Sequence, residues 1–175
     1  MAVLDACVLV PMPVADTLLR LAEPPALYRP RWTDAILAEV TRTLVVRLGK
    51  SWDKAHYREA AMRDFFPDSL IKDYERLVDK VTSHPKDCHV LAAAVAGRAD
   101  YLVTFNLKHF PPQSEGEHEV KVVGPSTFLK ELAGLDRAAV EERLWDQTQA
   151  IGISSDQLLE RLAASVPGFV SLLRG

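Results

Sequence analysis

The chain has 175 residues, enough for one sizeable hydrophobic core and too few for two ordinary enzyme domains. Hydrophobic residues make up 48% and charged residues 26%, which excludes a disordered chain, and no apolar run approaches the roughly 20 residues that cross a bilayer, so we expect a cytoplasmic protein without a membrane partner. The net charge of −3 excludes a uniformly basic nucleic-acid-binding protein, so any site for phosphates must be local.

The first half of the chain predicts two strands and several helices. Residues 2–4 form an apolar run that stops at Asp5, resumes at 6–10 and ends before a proline, which is typical of a buried strand turning into a loop. Residues 27–32 predict a second strand. Thr33 can cap the helix that follows, and Gly49 ends it. Helices are predicted over residues 15–22, 33–48, 53–66 and 70–81.

The second half centres on a helix that is apolar on nearly every side. It spans residues 90–96 and ends at Gly97, so we expect it to lie centrally in the fold. Because strands and helices alternate, the chain predicts an α/β fold with a parallel sheet. Gly134 marks a predicted boundary. The other predicted elements are strands at 101–104 and 120–123, an exposed loop at 113–118, and helices at 125–132, 137–151 and 155–173.

Four polar side chains fall where a parallel sheet would gather them. Asp5 and Asn106 follow two of the strands, and Asp87 begins the apolar helix that leads into the second of those strands. Ligands bind beyond the carboxyl ends of such strands, and Glu39 can join if its helix packs across the same edge. Clustered carboxylates repel unless a cation compensates, and oxygen ligands favour Mg²⁺ or Mn²⁺ over Zn²⁺. A site of this kind serves phosphodiester hydrolysis.

Each of these residues also has a purely structural explanation. Asp87 could complement the positive end of its helix, while Asp5 and Asn106 could be turn residues. Glu39 lies on the flank of the apolar face of its helix, where a solvated glutamate is the commoner case. Sequence spacing leaves both explanations open for all four residues.

Charge is distributed unevenly along the chain. Residues 42–63 contain six basic and two acidic side chains, whereas residues 131–161 contain seven acidic and three basic ones. The basic segment could bind a phosphate backbone, with Arg42, Arg47 and Lys50 as candidates, or it could be an ordinary solvated helix face.

Other enzyme classes fit the sequence less well. A phosphatase or dehalogenase could use Asp5 as its nucleophile, but the residue two positions on, where such phosphatases carry a second acid, is Cys7. A nucleotide-cofactor enzyme needs a glycine-rich turn after the first strand, and the first glycine is Gly49. A lone histidine beside an apolar helix or in a loop is usually structural, so we assign no role to His89 or His109.

Four segments appear in the order and spacing of a known family. They read LDACVL at 4–9, ILAEV at 36–40, PKDCHVLAAA at 85–94 and ADYLVTFNLKHFP at 99–111. Together they resemble the PIN-domain family, especially the VapC-like toxins of bacterial toxin–antitoxin pairs. The resemblance implies a three-layer α/β/α sandwich over residues 1–133, and residues 134–175 lie outside it as a C-terminal helical extension.

The resemblance also implies an activity and its ligands. Members are endoribonucleases, and Asp5, Glu39 and Asp87 match the three main acids that hold Mg²⁺ or Mn²⁺. Asn106 stands where many members carry a further aspartate, and Thr104 stands where a hydroxyl could orient water. We therefore expect a metal-dependent endoribonuclease that cleaves single-stranded or structured RNA.

The implied partners are RNA, a cognate antitoxin that covers the catalytic groove, and a second copy of the chain in a homodimer. Asn106 and His109 stand at positions where members of the family frequently carry an acid, so the site has less negative charge than the resemblance would imply. They leave open an alternative without catalysis, a PIN-like module that binds RNA or protein.

Overall fold

The computed structural model describes residues 1–111 and 119–175 and contains a parallel sheet of four strands with helices packed around it. The strands are β1 (Ala2–Leu4), β2 (Pro30–Arg31), β3 (Tyr101–Val103) and β4 (Lys121–Val123). The described α-helices are α1 (Ala6–Leu9), α2 (Met12–Leu21), α3 (Asp34–Arg42), α4 (Trp52–Phe65), α5 (Cys88–Ala96), α6 (Pro125–Leu135), α7 (Arg137–Ile151), α8 (Ser155–Ala163) and α9 (Pro167–Arg174). This confirms the predicted three-layer α/β/α architecture, while the loop predicted at 113–118 lies outside the described residues.

The order of the strands reverses between β1 and β3, in the middle of the sheet. The order is β2-β1-β3-β4, all parallel, with Leu4 of β1 in register with Val103 of β3. The chain leaves β1 toward one side of the sheet and β3 toward the other, so their carboxyl ends flank the point where the strand order reverses. Parallel sheets bind ligands at such a point.

The core is built on β1 and on the helix predicted to be central. The three residues of β1 are completely buried, as are the five consecutive residues 90–94 of α5. Helix α5 packs against β1 and β3, which explains why its sequence is apolar on every side. A strand and a helix that are both buried on all faces hold the residues at their ends in fixed positions.

The structure differs from the prediction directly after Asp5. Residues 6–10 do not continue as a strand and loop, because Ala6–Leu9 form the short helix α1, with the backbone N–H groups of Val8 and Leu9 donating to the Asp5 carbonyl. A fully apolar run cannot distinguish a buried strand from a buried helix. Helix α2 also begins earlier than predicted, at Met12, because a proline is tolerated in the first turn.

The helix predicted over residues 70–81 is wrong. The Ile71 N–H donates to the Trp32 carbonyl at 2.8 Å, so this stretch begins extended, as an addition to the β2 side of the sheet. Asp73 then adopts a left-handed backbone with φ of 59°, and only Glu75–Lys80 form a 3₁₀ turn. Backbone pairing with a distant segment has overridden the helical spacing of the apolar residues.

The C-terminal helices also differ in their bounds. Helix α6 runs through Gly134 to Leu135, and the single helix predicted over 155–173 is divided into α8 and α9 ahead of Pro167, which cannot continue a helix from its interior. Helix α7 packs against α2 and α6, and α9 packs against α6. The extension therefore lies on the core, while the division of the chain at residue 134 stays a prediction.

In the described ranges, every helix is too short or too polar to span a bilayer.

Candidate functional site

Asp5 lies at the carboxyl end of β1, where the strand order of the sheet reverses. Its backbone is extended, and its N–H donates to the Val103 carbonyl of β3 at 3.1 Å, which continues the pairing of the two strands by one residue. Its side chain is only 3% exposed and does not cap α1. The sheet therefore fixes the carboxylate at the strand end, as predicted.

Two neutral groups hold one oxygen of this carboxylate. The Thr104 hydroxyl donates to Asp5 Oδ2 at 2.6 Å, and the Cys7 thiol donates to the same oxygen at 3.0 Å. The Thr104 hydroxyl also accepts the Asn106 N–H at 3.0 Å. The other oxygen, Oδ1, accepts no hydrogen bond from the described residues and is not fully buried. These contacts do not form the Asx-turn that would explain Asp5 as a structural residue.

Cys7 remains a protonated thiol beside Asp5. Burial, together with the negative charge of the Asp5 carboxylate, raises the pKa of the thiol to about 12. A neutral thiol serves as a hydrogen-bond donor and cannot replace a second carboxylate. This weighs further against the phosphatase alternative.

Asp87 begins α5 but contributes its side chain to another contact. Its carboxylate makes no hydrogen bond to the first turn of α5, and its Oδ2 lies 2.6 Å from His109 Nδ1 and 3.9 Å from His84 Nδ1. The two imidazole rings stack with centroids 4.6 Å apart. Asp87 therefore contacts the 3₁₀ turn Leu107–His109. This turn comes shortly after Thr104, the residue on the β3 side that donates to Asp5.

Sequence reasoning missed both histidines. One signal was available: His84 precedes Asp87 by three residues, a spacing at which two side chains on one turn can meet. Asp87, the third member of the group, was predicted only as a ligand of Mg²⁺ or Mn²⁺ together with Asp5 and Glu39.

Glu39 and Asn106 are less tightly held. Glu39 is half-buried on the flank of α3, where its helical position predicts it, and α3 packs against α1, which follows Asp5. Neither the Glu39 carboxylate nor the Asn106 side-chain amide makes a hydrogen bond or ion pair to the described residues. Both side chains are free to contact a ligand.

The three predicted acids are not gathered into one tight cluster. Across residues 1–111 and 119–175, the acidic, histidine and cysteine side chains whose ligand atoms all lie within 4.8 Å of one another are His84, Asp87 and His109. Mg²⁺ usually keeps several waters and takes only one or two carboxylates directly, so Asp5, Glu39 and Asp87 do not need that proximity to share it. Their role as a metal site stays a prediction.

The basic segment divides into structural and free side chains. Arg58 donates to the Leu9 carbonyl at the end of α1, and Arg63 forms an ion pair with Asp34 of α3 at 2.7 Å. The three predicted phosphate ligands are exposed and form no ion pair with the described residues; they are Arg42, Arg47 and Lys50.

Replacing Thr104 with valine tests how strongly the site depends on its hydroxyl. Valine keeps the shape but removes the donor to Asp5 and the acceptor for the Asn106 N–H, so the free energy of unfolding should fall by about 2 kcal/mol. Serine keeps the hydroxyl, and Thr104→Ser should lose less than about 1 kcal/mol. Urea unfolding measures both variants, and equal losses would contradict this account.

Comparison with known proteins supplies a relative of most of the chain. A curated protein of Mycobacterium tuberculosis (strain ATCC 25618 / H37Rv), "Putative ribonuclease VapC50", is 32% identical over 136 residues, which cover 76% of this chain and 79% of the relative. No family model matches the chain. No solved structure matches it either. A likeness that covers this much of both proteins extends well beyond a shared motif.

Proposed function

This chain belongs to the VapC-like branch of the PIN-domain family, and on that premise we propose that it is a cytoplasmic endoribonuclease that needs Mg²⁺ or Mn²⁺ and acts as the toxin of a toxin–antitoxin pair. The observation that carries the proposal is the Asp5 carboxylate, which is buried where the strand order reverses and forms no ion pair with a basic side chain of the described residues. A buried charge without a partner is costly, and a cation removes the cost.

The residues present fit a hard divalent cation. Among the described residues, Asp5 offers an oxygen that accepts no hydrogen bond and Glu39 offers an unpaired carboxylate, while Asp87 directly precedes the helix packed against β1 and β3. One or two of these side chains would hold the ion directly through carboxylate oxygens, the ligands that Mg²⁺ and Mn²⁺ prefer, and the rest would hold it through its water ligands. A bound ion of this kind supplies positive charge that helps to deprotonate the attacking water and to stabilise the departing oxygen.

The neighbouring side chains position the acids and the RNA. Because the Thr104 hydroxyl donates to Asp5, we assign it the role of a positioning residue for that carboxylate, beside the water-orienting role expected from the resemblance. The Asn106 side-chain amide, which makes no hydrogen bond to the described residues, can donate one to a phosphate oxygen without the repulsion that an aspartate in its place would exert.

RNA would bind along the surface that carries Arg42, Arg47 and Lys50. The side chains of Trp52 and Tyr57 on the adjoining α4 are 55% and 78% exposed, and exposed aromatic rings beside basic side chains can stack on unpaired bases. This combination of charge and aromatic surface favours single-stranded RNA as the substrate.

Neutralising two basic residues tests this surface. The double variant Arg47→Ala/Lys50→Ala should weaken binding of a labelled single-stranded oligoribonucleotide, measured by fluorescence anisotropy with EDTA present to prevent cleavage. Because each phosphate contact contributes about 0.7 to the slope of log affinity against log salt, the slope should fall by about 1.4. Arg161→Ala, an exposed arginine on α8, is the control and should bind normally. An unchanged salt slope in the double variant would contradict the assignment.

Two protein partners complete the proposal, a cognate antitoxin and a second copy of the chain. Val46 and Leu48 are largely exposed beside the basic residues and give a protein partner an apolar surface to cover.

The direct test of activity uses the purified chain and single-stranded RNA. Cleavage should require Mg²⁺ or Mn²⁺ and stop when EDTA is added. The alternative, a PIN-like module that binds without cutting, is favoured by His109, which already occupies one oxygen of Asp87. A Mn²⁺ titration separates the two, because the inert module would show no saturable Mn²⁺ site that depends on Asp5.

A further inference from the structure

A second set of metal-ligand atoms converges on Asp87. His84 Nδ1 and His109 Nδ1 approach the same oxygen, Asp87 Oδ2, at 3.9 and 2.6 Å, and the ligand atoms of all three side chains lie within 4.8 Å of one another. Two of the three are largely buried, while His84 is exposed and leaves a route from solvent. The set contains two nitrogen donors and one oxygen donor.

The backbone holds this group together before any ligand arrives. The His84 N–H donates to the His109 carbonyl at 2.8 Å, and the Asp87 N–H donates to the His84 carbonyl at 2.8 Å. The turn before α5 and the turn after β3 are therefore joined directly, and the two rings are stacked on each other. Ligands arranged in advance lower the ordering cost of binding.

The protonation of the histidines suits metal binding. His84 Nδ1 accepts the Lys86 N–H at 3.3 Å, so its lone pair lies on the nitrogen that faces Asp87, and this long hydrogen bond is readily given up. His109 Nδ1 shares a hydrogen with Asp87 Oδ2, and a metal ion that binds both atoms would replace that proton.

We propose that His84, Asp87 and His109 form a binding site for a late first-row transition metal ion, with Zn²⁺ and Co²⁺ as suitable probes. Two imidazoles and one carboxylate favour these ions over Mg²⁺, and three protein ligands leave room for a fourth ligand from solvent or substrate. The site differs from the proposed Mg²⁺ or Mn²⁺ set, with which it shares only Asp87. It does not rest on ribonuclease activity, because binding is measured without RNA.

The experiment titrates the untagged full chain with Zn²⁺ by calorimetry and with Co²⁺ by visible absorption. One ion should bind per chain, and His84→Asn and His109→Asn should each weaken Zn²⁺ binding by at least about tenfold. His56→Asn, which alters an exposed histidine on α4, should bind Zn²⁺ normally. Asp5→Asn should also bind Zn²⁺ normally, although it loses the proposed nuclease activity.

Three results would overturn the inference: no saturable Zn²⁺ site, unchanged affinity in His109→Asn, or equal loss in Asp5→Asn. The last would place Zn²⁺ among the acids instead. Because His84 is exposed, its variant should fold, which keeps the test decisive even if His109→Asn is unstable. A chain that binds Zn²⁺ as expected but cleaves no RNA would refute the proposed function and leave this site standing.

Discussion

Asp5→Asn should lower the rate of metal-dependent RNA cleavage by at least about 100-fold while leaving the fold intact. The asparagine oxygen can still accept hydrogen bonds from Thr104 and Cys7, so the local packing is kept. The variant loses only the negative charge, which is buried without an ion-pair partner among the described residues. Removing such a charge relieves a desolvation cost, so the free energy of unfolding should stay the same or rise.

The two measurements together make the test specific. Single-turnover cleavage at saturating Mn²⁺ gives the rate, and urea unfolding gives the stability. Asp156→Asn, which neutralises an exposed acid in the first turn of α8, is the control and should cleave at the normal rate. A stable Asp5→Asn variant with full activity would refute the assignment of Asp5, and an unstable one would show that the carboxylate serves the fold.

The parts of the fold that could be predicted from the sequence are those where local signals agree with the tertiary environment. Helix α3 begins after Thr33, whose hydroxyl accepts the Ile36 N–H at 3.1 Å, as the capping pattern predicts. Helix α5 is apolar all round and proves to be central. The errors at 6–10 and 70–81 arise where an apolar run fits two structures, or where a backbone pairing with Trp32 decides between them.

The site divides in the same way. Asp5 and Thr104 lie close together because β1 and β3 are neighbouring parallel strands that end side by side. The sequence predicts both residues at strand ends, but tertiary packing decides that β1 pairs with β3. The contact between Asp87 and His109 depends on how two turns pack, 22 residues apart, and no periodic pattern encodes that. Whether a half-buried Glu39 reaches the metal proposed at Asp5 depends on side-chain rotation that helical spacing cannot specify.

The C-terminal extension is the element whose role was least predictable, since acidic amphipathic helices could cover a core or await a partner. In the structure, the hydroxyl of Thr17 on α2 donates a buried hydrogen bond to the side-chain oxygen of Gln147 on α7 at 2.7 Å. Side chains of α8 and α9 belong to the same apolar cluster as the sheet. The C-terminal helices therefore pack on the apolar core that surrounds the sheet.

Phe169→Ala should therefore lower the free energy of unfolding by about 3–5 kcal/mol, the range for deleting a fully buried aromatic ring. Phe169 is 0% exposed on α9, a helix that packs against α6 and is joined to it by the hydrogen bond from the Phe169 N–H to Ser126 at 3.0 Å, so its removal would leave a cavity beside that contact. Leu172→Ala, on the same helix but 39% exposed, is the matched control and should cost less than about 1 kcal/mol. Urea unfolding followed by circular dichroism measures both. If Phe169→Ala lowered the free energy of unfolding as little as Leu172→Ala, the extension would be a separable appendage. A single cooperative transition shifted to a lower urea concentration would show that the contact between α6 and α9 is part of one folding unit.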